Sequence, residues 1–503
     1  MSATTILRAI AKSYLGKAFG LMSLSQAVSA LTSFGVMSAY TRMLPPQEYG
    51  KISIIWLFLS VLAILVDTRL NTALCIRYFK VSREDNVRNI YSVLAYYIVV
   101  FSPCCALIEA NPGLFGQLLH ITLTATEVHL ICLICLFMLI GNCLNSLLLT
   151  SKQTRIYFLV MLLFNGTLAA TSGSLLFLFG YGYLSYLYGY LAAYGAVGVA
   201  TVSYFLKNYP PTPVRVISPQ RLMDLAKIGL PLVPDGLLVI FLTWAGRYIL
   251  NLYTTLAVVG VYSVAYMFSN IFNSFVLGPF GQAVTPILFE KFASSVEEYQ
   301  SLLKTIFRYY WLVAMTVLIG YFVVLREIFL LFVGPKYHDA YNIVAIMIVA
   351  MMFSGVCGYL GTVIILKEKT QHVFMITLLS SMVNIALNLL LVPPGGMYGS
   401  AFAMLGSFLV QFLLTLMYSQ RLMHVDYPYR FIVDYGVICL LFGCAVIGVS
   451  YLELPVAAGA ALKCLLFACY CLTVAGKTGV AERVREFSRR VAPAPGPLGE
   501  ERL

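Results

Sequence analysis

The feature that most constrains this chain is the alternation of long apolar runs with short charged or Pro/Gly-bearing breaks. Fourteen such runs are read near residues 18–41, 52–74, 90–108, 128–150, 156–180, 183–206, 229–252, 256–280, 309–333, 341–366, 372–392, 398–419, 431–452 and 456–475. Most reach the roughly 20 residues that carry a helix across a bilayer, where backbone polar groups must be satisfied internally. Composition agrees: 60% of the 503 residues are hydrophobic and 11% charged, against about 25% charged in a soluble domain. The expected fold is an all-α membrane protein of about 14 transmembrane helices, which excludes a soluble enzyme.

Charge then sets the orientation. The 33 Lys and Arg against 21 Asp and Glu leave a net +12, which in a bilayer protein reads first as topology rather than as affinity for nucleic acid. With the N-terminus in the cytoplasm, 26 of the 33 cations fall inside. Five (Arg42, Lys51, Arg247, Arg326 and Lys336) fall outside, and Arg69 and Lys463 lie within spans. Both termini are thus predicted to be cytoplasmic, with the first run retained as a span because no small-residue cleavage site ends it. Most of the 12 Cys sit in apolar runs as small hydrophobes, Cys104 and Cys105 near a loop being the exception, and the five His lack ligand spacing. No metal or cofactor is expected. The longest outer loop, about 109–127, is short and carries no Lys or Arg, which argues against an enzyme acting at the outer surface.

Two segments recur. Tyr49–Ser53 (YGKIS) opens the second run as Val259–Ser263 (VGVYS) opens the eighth, 210 residues on; Leu147–Phe158 parallels Val363–Phe374 at a spacing of 216. The agreement in offset and order predicts two six-helix lobes of the same orientation around a central cavity. The expected organisation is an N-terminal lobe (1–207), a cytoplasmic linker (208–227), a C-terminal lobe (228–420), two further spans (428–475) and a basic tail (476–503), within which Glu482–Arg490 reads as amphipathic.

Tyr40–Gly50 (YTRMLPPQEYG), Gly229–Pro234, Arg247–Leu250 (RYIL), Val259–Tyr266 and Asn384–Leu391 resemble the signatures of the polysaccharide transporter family, which includes O-antigen and exopolysaccharide flippases. That family lies within the multidrug/oligosaccharidyl-lipid/polysaccharide exporter superfamily. The resemblance implies a flippase, not an enzyme, that moves an undecaprenyl-diphosphate-linked oligosaccharide from the cytoplasmic to the outer leaflet of the bacterial inner membrane. It implies membrane lipids as partners and leaves open a complex with polysaccharide polymerase or chain-length machinery. The sequence departs from the family at Gly246, where Asp often precedes the RYIL motif. A cation-coupled exporter of small amphiphiles, or a membrane glycan polymerase or ligase, are the alternatives.

A sugar diphosphate cannot enter hydrocarbon unaided, since one charge at the bilayer centre costs roughly 2.5–3.5 kcal/mol on insertion scales. A hydrated cationic cavity removes most of that cost. Ser25, Gln26, Ser29, Thr32 and Ser33 share one face of the first span, forming one wall of such a cavity or a packing face. Arg69 is the leading candidate for the diphosphate because guanidinium binds phosphate bidentately; Arg247, Lys17 and Arg42 are further candidates, with interfacial anchoring the plainer role. Asp235, beside Pro231 and Pro234 at an expected helix break, and Asp67 are the carboxylates for ion coupling. Lys463 is expected to pair with a neighbouring helix or to snorkel. The Asn pairs 142/145, 270/273 and 384/388 are expected mainly to bond between helices.

Overall fold

The computed structural model describes residues 14–210, 218–272, 274, 284, 287–288, 291–292, 295–452 and 455–478. The Lys17 side chain, Asn273 and the tail segment Glu482–Arg490 lie outside the described residues. Regular structure among the described residues is helical throughout. The first half comprises α1 (Tyr14–Met43), α2 (Pro46–Asp67), α3 (Leu70–Arg77), α4 (Arg83–Ala110), α5 (Pro112–Leu119), α6 (Ala125–Thr150), α7 (Thr154–Phe177) and α8 (Leu184–Asn208). The second comprises α9 (Pro219–Gly229), α10 (Val233–Tyr253), α11 (Leu256–Phe272), α12 (Val296–Phe332), α13 (Tyr341–Leu366) and α14 (Thr370–Leu422), followed by α15 (Tyr429–Tyr451) and α16 (Val456–Thr478).

Twelve of the described helices are long and apolar enough to cross a membrane. One of them, α14, is two helices in series. Pro393-Pro394-Gly395-Gly396 interrupts it, and Gly396 takes φ 51°, a conformation open to glycine and outside any helix. With that division, and with the shorter apolar α11, the architecture matches the expected count of about 14.

The second expected span is not continuous. Thr68 and Arg69 adopt left-handed φ values of 45° and 59°, so the chain ends α2 and restarts as α3. Asp67 supplies the local reason: its carboxylate accepts from the Asn71 amide at 3.2 Å and from the Tyr97 hydroxyl, drawing the next turn away from the helix ladder. Two consecutive non-glycine residues in this region cost of order 1 kcal/mol or more each. A gentler break, right-handed throughout, separates α9 from α10, where Pro231 sits in a single 3₁₀ turn, Leu230–Leu232, and Pro234 in the first turn of α10. The two breaks meet. A Cβ on Gly229 would stand 2.6 Å from the Thr68 carbonyl oxygen, and one on Gly236 would overlap the Arg69 guanidinium.

At the other end, predicted to face outward, the duplicated segments touch each other. A Cβ on Gly50 would lie 3.1 Å from the Gly260 nitrogen and overlap the Leu256 carbonyl; one on Gly260 would lie 3.1 Å from the Gly50 nitrogen and overlap the Pro46 carbonyl. Such reciprocity marks a contact across a two-fold axis, and only glycine lets the backbones approach so closely. Flanking contacts repeat the relation. Thr41 Oγ1 accepts from the Gly334 amide at 3.2 Å and Tyr337 donates to the Leu44 carbonyl at 3.2 Å. Correspondingly, Asn251 and Tyr248 donate to the Leu119 and Leu118 carbonyls, each at 2.8 Å. The latter pair uses α5, a short helix in the loop predicted to face outward.

Candidate functional site

Two adjoining cavities open between the halves. The first, about 390 Å³, is walled by Ser25, Gln26, Ser29 and Ser33 of α1, with Met267, Asn270 and Ile271 of α11 opposite. The small hydroxyl residues there leave room because each ends one or two atoms from the helix. Thr32, expected on the same face, is not on this wall. Ser29 Oγ accepts from Asn165 of α7 at 2.9 Å, so part of the polar stripe also ties helices together.

The second cavity, about 360 Å³, shares Met267 and Asn270 with the first. Arg247 of α10 lies on its wall and is only 3% exposed. Of the two roles the sequence leaves open for Arg247, cavity residue and interfacial anchor, this position agrees with the first. The guanidinium is stacked on Tyr266 and Trp244, 4.1 and 4.3 Å from their ring centres. Its Nε donates to Ser263 Oγ at 3.3 Å and a terminal nitrogen to the Thr243 carbonyl at 3.0 Å. Among the described residues no carboxylate lies within ion-pair distance of it. Desolvated cation–π contacts contribute about 2 kcal/mol, less than the several kcal/mol it costs to bury one ion. The site therefore favours an anion or water beside Arg247.

Gly246 explains why a carboxylate is missing one residue before Arg247. A Cβ there would stand 2.5 Å from Ser400 Oγ and 3.3 Å from Asn388 Oδ1. That space belongs to a buried chain in which Ser400 donates to Asn388 (2.8 Å), Asn388 to the Asn384 carbonyl (2.8 Å), and Asn384 to Ser407 (2.9 Å). Asn384 and Asn388 thus bond between and along helices.

Opposite Arg247 stand Tyr186, Tyr190 and Tyr194, spaced i, i+4, i+8 on one face of α8. Trp56 and Phe164 pack edge-on against this ladder, Trp56–Tyr190 at 4.6 Å and Phe164–Tyr194 at 5.0 Å between ring centres. The sequence reading passed over it, because 34 Tyr and 32 Phe make any one aromatic look like packing. The four-residue spacing of three tyrosines was the available signal.

The remaining candidates lie elsewhere. Arg69 is on neither cavity wall; its guanidinium rests on Gly236 where the two helix breaks meet. Arg42 is exposed at the predicted outer end and donates to the Leu331 carbonyl. Asp235 sits, partly exposed, in the first turn of α10, and Asp67 holds the α2–α3 break; neither is on the cavity walls. Lys51 pairs with the buried Glu127, which also closes the capping box of α6 and accepts from Tyr183 at 2.9 Å. Lys463 of α16, 1% exposed, pairs with Glu327 of α12 at 2.7 Å.

The sequence profile of the polysaccharide biosynthesis protein family matches residues 15–292. No curated protein matches the chain. Among solved structures, the lipid II flippase MurJ in an inward closed conformation superposes with a TM-score of 0.72 at 13% identity, covering 91% of this chain and 99% of that one. A multidrug resistance MATE family transporter of the MOP superfamily superposes in its inward-facing conformation with a TM-score of 0.65 at 13% identity, covering 80% of this chain and 96% of that one. In an outward-facing conformation the values are 0.61, 13%, 85% and 99%. At these identities the likeness establishes the fold, and the family rests on the profile. A multi-pass helical bundle with that fold, matched by that profile over more than half its length, belongs to the polysaccharide biosynthesis protein family.

Proposed function

We propose that the protein flips a polyprenyl-diphosphate-linked oligosaccharide from the cytoplasmic to the outer leaflet of a bacterial inner membrane, with both termini cytoplasmic. Two lobes, 1–207 and 228–420, rock about the paired glycines so that the cavity opens to one side at a time; residues 428–475 are an appendage. The observation that carries this reading is Arg247, a buried cation without a carboxylate partner, facing an aromatic wall. The guanidinium offers bidentate bonds to a phosphate, and the Tyr186–Tyr190–Tyr194 ladder offers flat apolar faces with polar tips, which suit the faces and hydroxyls of sugar rings. Ser25, Gln26 and Ser29 extend a polar path along α1. Charge on one wall and rings on the other match a ligand that is itself a phosphate joined to a glycan.

A cation-coupled exporter of small amphiphiles would favour carboxylates facing this cavity, and among the described residues its walls carry none. The experiment is reconstitution into vesicles with a fluorescent short-chain polyprenyl-diphosphate oligosaccharide, scoring its arrival in the far leaflet. The reading requires that flipping depend on Arg247 and that a lipid-linked monophosphate without glycan be handled poorly. Wild-type flipping by Arg247→Ala would overturn it.

A further inference from the structure

A third polar cavity lies inside the first half, away from the site between the halves. It measures about 510 Å³ and is walled by Tyr78, Arg83, Asn86, Gln153, Tyr204 and Tyr209. It opens at the end of the bundle predicted to be cytoplasmic, where α4 begins and α8 finishes. Asn86 is 6% exposed; its Nδ2 donates to the Tyr78 carbonyl at 2.7 Å, while its Oδ1 is buried and accepts from no described group. A buried acceptor left without a donor costs about 1–3 kcal/mol, which a ligand hydroxyl in this cavity would recover. Arg83 is exposed and lies over the Tyr209 ring at 5.6 Å; one terminal nitrogen donates to the Asn208 carbonyl at 3.1 Å, which leaves other donors of the fork open. The nearby Asp85 carboxylate is engaged by Arg221 at 2.8 Å. Burial and the neighbouring Tyr209 hydroxyl push the Tyr78 phenol up to about 12, so it stays a neutral donor.

The second half has a corresponding scaffold in which a buried ring takes the place of Asn86. Ser82 caps α4 by accepting from the Asp85 amide, and Ser295 caps α12 by accepting from the Glu298 amide. The offset of 213 falls between the 210 and 216 of the repeated segments and pairs Asn86 with Tyr299. Tyr299 is fully buried, shares a hydrogen bond with Thr362 at 2.8 Å and packs on Phe292 at 5.3 Å. A packed ring therefore stands in one half where the other has Asn86 on a cavity wall. The rim of the open cavity combines exposed Phe79 (71%) and Leu206 (45%) with exposed Lys80 and Lys207, the pairing of apolar and cationic groups found where protein meets an anionic leaflet.

We propose that this cavity holds the headgroup of an anionic glycerophospholipid, its phosphate on Arg83 and a glycerol hydroxyl donating to Asn86 Oδ1. The bound lipid seats the α4 start against the ends of α3 and α8. The test is native mass spectrometry of the detergent-solubilised full chain titrated with phosphatidylglycerol, with phosphatidylcholine, and separately with glycerol 3-phosphate. One phosphatidylglycerol should be retained in preference to phosphatidylcholine. Arg83→Gln and Asn86→Leu, the latter removing the acceptor at similar volume, should each weaken its retention about tenfold or more, with melting temperatures in detergent near the wild type. Lys367→Gln with Lys369→Gln removes two charges, against one in Arg83→Gln, from the corresponding end of the second half and should leave retention unchanged. Equal loss in that control would reduce the effect to general surface charge and overturn the site. Retention unaffected by Arg83→Gln and Asn86→Leu would overturn it too. Glycerol 3-phosphate bound as tightly as the lipid, with the same sensitivity to the variants, would assign the cavity to a soluble ligand and overturn the lipid reading.

Discussion

The two halves of the chain are built alike where they touch and unlike where they face the cavity. Gly50 and Gly260 make the same close approach to each other's helix, and the outer turns reach across in corresponding ways through Thr41–Gly334 and Asn251–Leu119. Yet Arg247 corresponds, at the same offset of 210, to the buried Met37. The tyrosines 186, 190 and 194 correspond, at 216, to Phe402, Gly406 and Val410. The difference separates two tasks: symmetric positions hold the halves together through a motion in which both take part, and asymmetric positions give the cavity one cationic wall and one aromatic wall.

The largest expected effect strikes the symmetric contact. Gly50→Val and Gly260→Val should each destabilise the protein by about 3 kcal/mol or more, because a side chain must displace backbone rather than a flexible neighbour. Thermal unfolding in detergent would show it. The reciprocity makes the comparison sharper, since the double variant should cost less than the two single costs added together, the two residues sharing one contact. Additive losses would mean that the glycines belong to separate contacts. Next comes the asymmetric cation. Arg247→Ala should slow flipping about a hundredfold, equivalent to roughly 2.7 kcal/mol, and Arg247→Lys should recover only part, since an ammonium lacks the planar fork and the stacking on Trp244 and Tyr266. Neither should move the melting temperature as far as the glycine variants. A stability loss without a transport loss would turn Arg247 into a structural residue.

Much of this was legible in the sequence, and the exceptions have physical causes. The count of spans followed from apolar length and the repeat from two short motifs near one offset, while the contact between Gly50 and Gly260 came only with the fold. The break at Thr68–Arg69 was hidden because neither residue is a helix breaker; the deciding bond, Tyr97 to Asp67, comes from α4, 30 residues away. Arg69 therefore read as a cation inside a continuous span, towards its cytoplasmic end, whereas it lies at a joint between helices. Arg247 was left between cavity and interface because hydropathy gives depth and not direction, and only the packing of α10 against α11 turns it toward the cavity. The tyrosine ladder was masked by the abundance of aromatics. The acceptor role of Asn388 and the absence of space at Gly246 depend on Ser400, a partner across the Gly396 turn that no local pattern reveals.

The appended helices extend the comparison, because α15 and α16 have no counterpart in the first half. They are fastened by Lys463–Glu327, a pair whose lysine is 1% exposed and whose glutamate is 39% exposed. Lys463→Met alone leaves a carboxylate facing an apolar helix and should cost about 2 kcal/mol, below the 3–5 kcal/mol of a fully buried pair because Glu327 retains access to its surroundings. Lys463→Met with Glu327→Gln should recover most of that loss, as the orphaned charge is removed with its partner. Flipping per folded molecule should be unchanged in both, which separates a fastening from a transport group; a double variant as unstable as the single would show that the charge itself holds α16 in place.

The smallest expected effect belongs to the aromatic wall. Tyr190→Leu keeps an apolar body but removes the flat face and the hydroxyl, and should weaken flipping about tenfold, close to 1.4 kcal/mol, if one ring contributes what one aromatic contact does. Tyr190→Phe retains the face and should fall between the two. The loss should appear only with substrates that carry sugar: a diphosphate lipid stripped of its glycan should be handled alike by wild type and by Tyr190→Leu, while Arg247→Ala should impair both. If Tyr190→Leu impaired the stripped lipid equally, the ring would be supporting the cavity rather than meeting the glycan, and the division into a cationic wall and an aromatic wall would collapse to Arg247 alone.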